Sequence, residues 1–114
     1  MPPDDLLFVG HMVDMARTAQ QLILGFDRAR FDADIKLQLA LVRALQVIGE
    51  AAWRVSEEFQ RQHPALPWRQ ISAFRHRVVH EYFSIDYDIV WRIATRELQP
   101  LIGLLAPLLP DTSQ

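Results

Sequence analysis

Cysteine is absent from this chain of 114 residues, which excludes disulfides, thiolate nucleophiles and thiolate metal sites. Asparagine is absent as well, and Lys36 is the only lysine, against eleven arginines. The four glycines stand apart, at positions 10, 25, 49 and 103, so no Gly-rich phosphate loop exists. There is no Gly-x-Ser-x-Gly elbow and no EF-hand loop. No apolar run reaches the roughly 18 residues of a membrane span. Met1-Pro2-Pro3-Asp4-Asp5 lacks the basic and apolar regions of a signal peptide. A soluble cytoplasmic protein is the expectation.

Strand signals are missing too: there is no alternating run and no hairpin dipeptide. Half the residues are hydrophobic, enough for a core, and the length suits one domain spanning 1–114. Its ordered core is expected over about 4–106, with 107–114 a frayed tail. The net charge of −2 argues against nonspecific nucleic-acid binding by the molecule as a whole. The charge is uneven, however. Residues 54–77 carry five Arg against two Glu, a local +3, and residues 78–114 carry −3. A basic patch on an acidic protein and a solvated helix face both fit this pattern.

Hydrophobic periodicity predicts an all-α, up-and-down bundle of four main helices. The first runs from Asp4 or Asp5 to Phe26, with Phe8, Met12, Met15, Ala19, Leu22 and Phe26 on one stripe. Asp27 to Asp34 is a charged connection, with Asp32 or Asp34 as N-cap. The second helix runs from Ile35 to Gln62 and stops before Pro64. The third starts at Pro67-Trp68, where proline suits a first turn, and ends near Phe83. Ser84 or Asp86 caps the fourth, which Pro100 should kink near Arg96.

The second helix is apolar on two sides. Leu37, Leu41, Ala44, Leu45, Ile48, Ala51, Ala52, Val55 and Phe59 form one face; Ile35, Leu39, Val42, Gly49 and Trp53 form another. A surface helix of a monomer needs one such face. Gly49 costs about 1 kcal/mol relative to Ala inside a helix, which close approach by another helix would offset. A homodimer is the expected use of the second face.

The third helix carries the chemistry. Trp68, Ile71, Phe74, Val78, Val79 and Tyr82 form its buried stripe, and Arg75 falls in the middle of it. A guanidinium there needs a partner or a wet cleft, because an unpaired buried charge costs several kcal/mol. A structural salt bridge to Glu50 and an anion-binding site are the two readings. His76 and His80, four apart, lie on the stripe's edge together with Arg69. An arginine that grips a phosphate and an imidazole that moves protons suit work on a phosphodiester. The His pair has the spacing of a zinc site, but the His-Glu-x-x-His order is missing and Arg75 and Arg77 would repel a cation. No metal site and no cofactor are expected.

Ile48-Gly49-Glu50-Ala51-Ala52, Ser56-Glu57-Glu58-Phe59, Pro64, Pro67-Trp68, Arg75-x4-His80-x-Tyr82 and Ile89-Val90-Trp91 occur in that order, and over about Asp4 to Leu105 the chain resembles the HepT family of HEPN-domain proteins. The resemblance implies a HEPN-like homodimer acting as the toxin of a type II/VII-like toxin–antitoxin pair. Its activity would be that of a metal-independent endoribonuclease that cuts RNA by 2′-OH attack. It implies a partner, an MntA-type nucleotidyltransferase antitoxin. Arg75 and His80 take the catalytic roles, with His76 and Glu50 as supporting candidates and Arg69 and Arg77 as RNA contacts. Tyr82 becomes the acceptor of AMP groups. His76 stands where the family commonly has Asn. The alternative is a non-catalytic HEPN module that binds a nucleotidyltransferase or a nucleotide.

Overall fold

A computed structural model describes residues 4–81 and 84–110, the side chains of 79–81 excepted. Helix α1 (Asp4–Leu22) packs chiefly on α3 (Ile35–Arg54). On its other flank α3 carries α5 (Trp68–Ser72) and α6 (Phe74–Arg77), and α1 also receives α8 (Leu98–Leu105). The result is the expected all-α bundle, with four limbs around one core. Among the described residues no helix is long and apolar enough to cross a membrane.

In α1 the fully buried positions are Val9, Met12, Val13, Ala16 and Ala19, a helical stripe aimed at α3. Its centre lies one residue away from the expected one, so Phe8, Met15, Leu22 and Phe26 only flank the core. The helix ends at Leu22 rather than Phe26. Gly25, at φ +79°, lets the chain reverse in a conformation other residues resist. The connection is not bare: Asp27 accepts from the Arg30 amide at 2.9 Å and caps a short α2 (Arg28–Asp32). Phe31 of α2 is wholly buried, edge to face with Tyr87 and tilted against Trp91. Arg28 reaches Asp32 at 2.8 Å and Asp88 at 2.6 Å. These bonds, that to Asp32 first, hold its pKa above the ordinary arginine value. Asp34, the second of the two proposed caps, accepts from the Leu37 amide at 3.0 Å and starts α3.

The expected second helix breaks. Val55 is extended and Ser56 caps a separate α4 (Glu57–Gln62). The Ser56 hydroxyl accepts from the Phe59 amide, and two glutamates in the first turn favour a new helix start. Asp5, only 2 % exposed, fastens the break: it accepts from the Ser56 amide at 2.8 Å and the Ser56 hydroxyl at 2.7 Å. This ties the start of α1 to the start of α4.

The third helix departs furthest from expectation. It is interrupted at Ala73 and ends at Arg77. Val79–Glu81 forms β1, which pairs antiparallel with β2 (Ser84–Ile85), Val79 opposite Ile85 and Glu81 opposite Ser84. The physical reason is local. Val79 is β-branched and stiff at its first side-chain torsion, which suits extended backbone better than a continuing helix. Asp86, not Ser84, caps α7 (Tyr87–Arg92) through the Ile89 amide at 3.1 Å. The expected kink near Arg96 takes the form of a π-helical turn, Ile93–Glu97, before α8. Pro100 has no N–H for the Arg96 carbonyl, and the ladder widens just upstream. The chain then tightens into a 3-10 turn at Ala106–Leu108. Of the expected frayed tail, residues 111–114 lie outside the described part.

Candidate functional site

Gly49 sets the position of Arg75. A Cβ on Gly49 would stand 2.8 Å from the Arg75 backbone nitrogen, 3.0 Å from its Cγ and 3.2 Å from the Ile71 carbonyl. No side chain fits that gap, so α5 and α6 lie directly on the α3 backbone. The close approach expected at Gly49 is thus made within the chain, by the limb that bears Arg75, rather than by a second copy.

The Arg75 side chain then runs out over the rim of α3. Its guanidinium lies 4.9 Å from the Trp53 ring centroid and donates from Nη1 to Glu50 Oε2 at 3.2 Å. The side chain is 29 % exposed, so it is a partly wet cation rather than a buried one. Glu50 accepts from Arg54 Nε at 3.2 Å with its other oxygen. One carboxylate thus serves two guanidiniums. Of the five N–H donors of Arg75, one is used on a carboxylate among the described residues, and an anion on the rim would find the others. Both readings of Arg75 are therefore present in one geometry: a structural pair to Glu50 and an open donor face.

The remaining candidates divide. Arg77 emerges roughly 200° around α6 from Arg75. Its two terminal nitrogens meet the two oxygens of Glu97 at 3.1 and 3.2 Å, and its guanidinium lies 5.5 Å from the Phe74 ring. A fork-to-fork pair of this kind fixes α6 against the π-helical turn. Arg69 is exposed on α5, beside a shallow hollow shared with Trp53, Gln60 and Ser72. His76 is exposed on α6. His80 belongs to β1 by its backbone, so His76 and His80 do not share a helix and their expected four-residue contact has no helical basis. The His80 side chain and Tyr82 lie outside the described residues, as does Phe83. The helical argument that set Tyr82 on the face of Arg75 falls with the end of α6.

Four further residues that the sequence does not mark as site candidates join Glu50 and Arg75. Phe8 and His11 of α1 and Arg43 and Arg54 of α3 line, with Glu50 and Arg75, a concavity of about 520 Å³. The signal was present: Arg43, Val47, Glu50 and Arg54 recur at spacings of four, three and four, one stripe of a helix. It lay between the two apolar faces that drew attention.

The Ribonuclease HepT-like family matches residues 12–108. A probable ribonuclease HepT of Thermococcus cleftensis is 37 % identical over 73 residues, 64 % of this chain and 66 % of that protein. A protein of Caldanaerobacter subterraneus subsp. tengcongensis named "Putative RNase" is 31 % identical over 94 residues, 82 % of this chain and 84 % of its own. One of that same name from Methanocaldococcus jannaschii is 35 % identical over 81 residues, 71 % of this chain and 67 % of its own. No solved structure gives a significant match. The all-α bundle is that of a HEPN-like protein, and the chain belongs to the HepT-like ribonuclease family.

Proposed function

We infer that the chain is a metal-independent endoribonuclease, the toxin of a pair whose antitoxin is a nucleotidyltransferase. The observation that carries this reading is the Arg75 guanidinium. It is fixed by Gly49, Glu50 and Trp53, yet it is partly exposed with donors to spare, and His80 follows five residues later on β1.

RNA brings its own nucleophile, the ribose 2′-OH, so the reaction requires neither a metal nor an activated water. A base removes the 2′-OH proton as the oxygen attacks phosphorus, and an acid protonates the departing 5′-oxygen. The products are a 2′,3′-cyclic phosphate and a 5′-OH. His80 supplies proton transfer. Arg75 holds the nonbridging oxygens, whose charge grows in the phosphorane, with charge-assisted hydrogen bonds. Glu50 keeps the guanidinium in place, and exposed Arg69 adds positive charge for the RNA backbone. Arg77, paired with Glu97, acts by anchoring α6.

One imidazole serves both ends of an in-line displacement poorly, so the second proton carrier is His76 or the His80 of a second copy. A two-fold homodimer meets this need. Ile35, Leu39 and Trp53 are 59 %, 54 % and 60 % exposed and fall on one side of α3, the side that leads to Arg75. Burying them against a second copy would bring two sites together. A sedimentation measurement giving a monomer at micromolar concentration would reject that arrangement.

Control falls to Tyr82. Attack of its oxygen on the α-phosphorus of ATP, catalysed by the antitoxin, releases pyrophosphate and leaves a tyrosyl-AMP phosphodiester. The added negative charge competes with RNA for Arg75. A non-catalytic module would use Arg75 only as the structural partner of Glu50. Incubating the protein with labelled RNA, with and without EDTA, separates the two. The nuclease yields 2′,3′-cyclic phosphate ends in both conditions, and a module leaves the RNA intact.

A further inference from the structure

The concavity between α1 and α3 is larger than one scissile phosphate needs. It is in the size range of built ligand sites, and most of its wall has no part in the chemistry above. On the α3 side Arg43, Glu50 and Arg54 lie along eleven helical steps, about 16 Å of helix. Arg54 and Arg75 share Glu50, whereas Arg43 is exposed and has no ion-pair partner among the described residues. Three guanidiniums and one carboxylate therefore line the concavity, an excess of positive charge on a chain whose net charge is −2. On the α1 side Phe8 and His11 stand edge to face with ring centroids 6.4 Å apart. Phe8 is only half-buried, because the core stripe of α1 passes through Val9 instead.

Cations along one wall and aromatic faces on the other are the two elements by which proteins hold single-stranded nucleic acid, the cations tracking phosphates and the rings receiving unstacked bases. We propose that this groove is the track for a single-stranded RNA segment flanking the scissile phosphate. The scissile phosphate sits at Arg75. The strand runs along α3 so that Arg54 and, farther along, Arg43 each take a phosphate with nucleotides between them, and a base rests against the Phe8–His11 pair. This rests on the ribonuclease reading of Arg75. It adds to it a binding surface that selects unpaired RNA, since bases stacked and paired in a duplex have no free face to offer.

The test is binding of a fluorescent, fully 2′-O-methylated single-stranded RNA, which cannot be cut by 2′-OH attack, at several salt concentrations. Cleavage of the all-ribose strand is followed in parallel. Arg43→Gln weakens binding about fivefold and lowers the slope of log affinity against log salt by about 0.7, one phosphate contact on a single strand. Arg43→Glu weakens it further, and His11→Ala weakens it without changing the slope. Arg17→Gln, on the exposed part of α1 outside the groove, stays within about twofold. Arg43 is exposed, and a thermal melt of each variant verifies the fold. Wild-type affinity in both Arg43 variants, with all-ribose RNA still cut, overturns the groove and leaves the nuclease reading standing. Weakened binding in those variants, with all-ribose RNA never cut by the wild type, supports the groove and rejects the nuclease. Unchanged RNA affinity together with lost capture of the nucleotidyltransferase makes the groove a protein-docking surface and likewise overturns the proposal.

Discussion

Gly49 and Arg75 meet where no side chain can stand between them: a Cβ on Gly49 would lie 2.8 Å from the Arg75 backbone nitrogen. The obstacle is backbone, which cannot swing aside. Gly49→Ala gains about 1 kcal/mol of helix propensity but has to push α5 and α6 away from α3, at a cost of about 1–3 kcal/mol. The variant should be no more stable than the wild type in urea titration, and its cleavage rate should fall well beyond any loss of folded protein, because Arg75 is displaced. A more stable and fully active Gly49→Ala would show that the contact does not position the site.

How much of this was legible in the sequence differs by element. The buried face of α3 was, because Leu37, Leu41, Leu45 and Ile48 repeat at helical spacing and are all buried. The turn at Pro100 was, because a missing N–H acts wherever it falls. The break at Ser56 could have been read from a capping serine before two glutamates, but the apolar face runs on through Val55 and Phe59 and hid it. The hairpin at Val79 could not be read from period, since two short strands repeat nothing. The Arg75–Glu50 pair is legible from an arginine set among apolar neighbours, whereas the helical spacing of His76 and His80 misleads because α6 ends at Arg77. Gly49 was recognised as a close approach, but the sequence alone did not tell which helix approached.

The Arg77–Glu97 pair provides a second test, of anchoring against RNA contact. Its geometry is bidentate and both side chains are about one-third exposed, which places it at the upper end of surface pairs, at about 1 kcal/mol. A double-mutant cycle of Arg77→Ala and Glu97→Ala should show coupling of about that size in stability. RNA affinity should fall less for Arg77→Ala than for Arg69→Ala. The reverse order would make Arg77 an RNA contact in its own right.

Glu50 is shared by Arg54 and Arg75, and its role separates holding from proton transfer. Glu50→Gln keeps the shape but removes the charge and leaves one accepting oxygen, which can be turned to Arg75. If Glu50 only holds Arg75, cleavage drops less than about tenfold, whereas loss of a general base typically costs about 10²–10⁴. A drop in the larger range, measured under single-turnover conditions, would move Glu50 into the chemistry.

Tyr82 tests the control mechanism. Co-expression with the nucleotidyltransferase should add mass in AMP units to the peptide containing Tyr82, and Tyr82→Phe should remove the addition while cleavage continues. Complete neutralisation with Tyr82 unmodified would mean that the partner acts by covering the site.

Arg75 and His80 are proposed to cut RNA together without a metal. The most direct measurement is cleavage of labelled RNA in EDTA by wild type, His80→Ala and Arg75→Ala, with circular dichroism to confirm that each variant is folded. The wild type should cleave in EDTA, and His80→Ala should lose about 10²–10⁴ in rate, with Arg75→Ala comparably impaired. His80→Ala cutting as fast as the wild type, or wild-type activity that vanishes in EDTA and returns with added metal, would contradict the proposal.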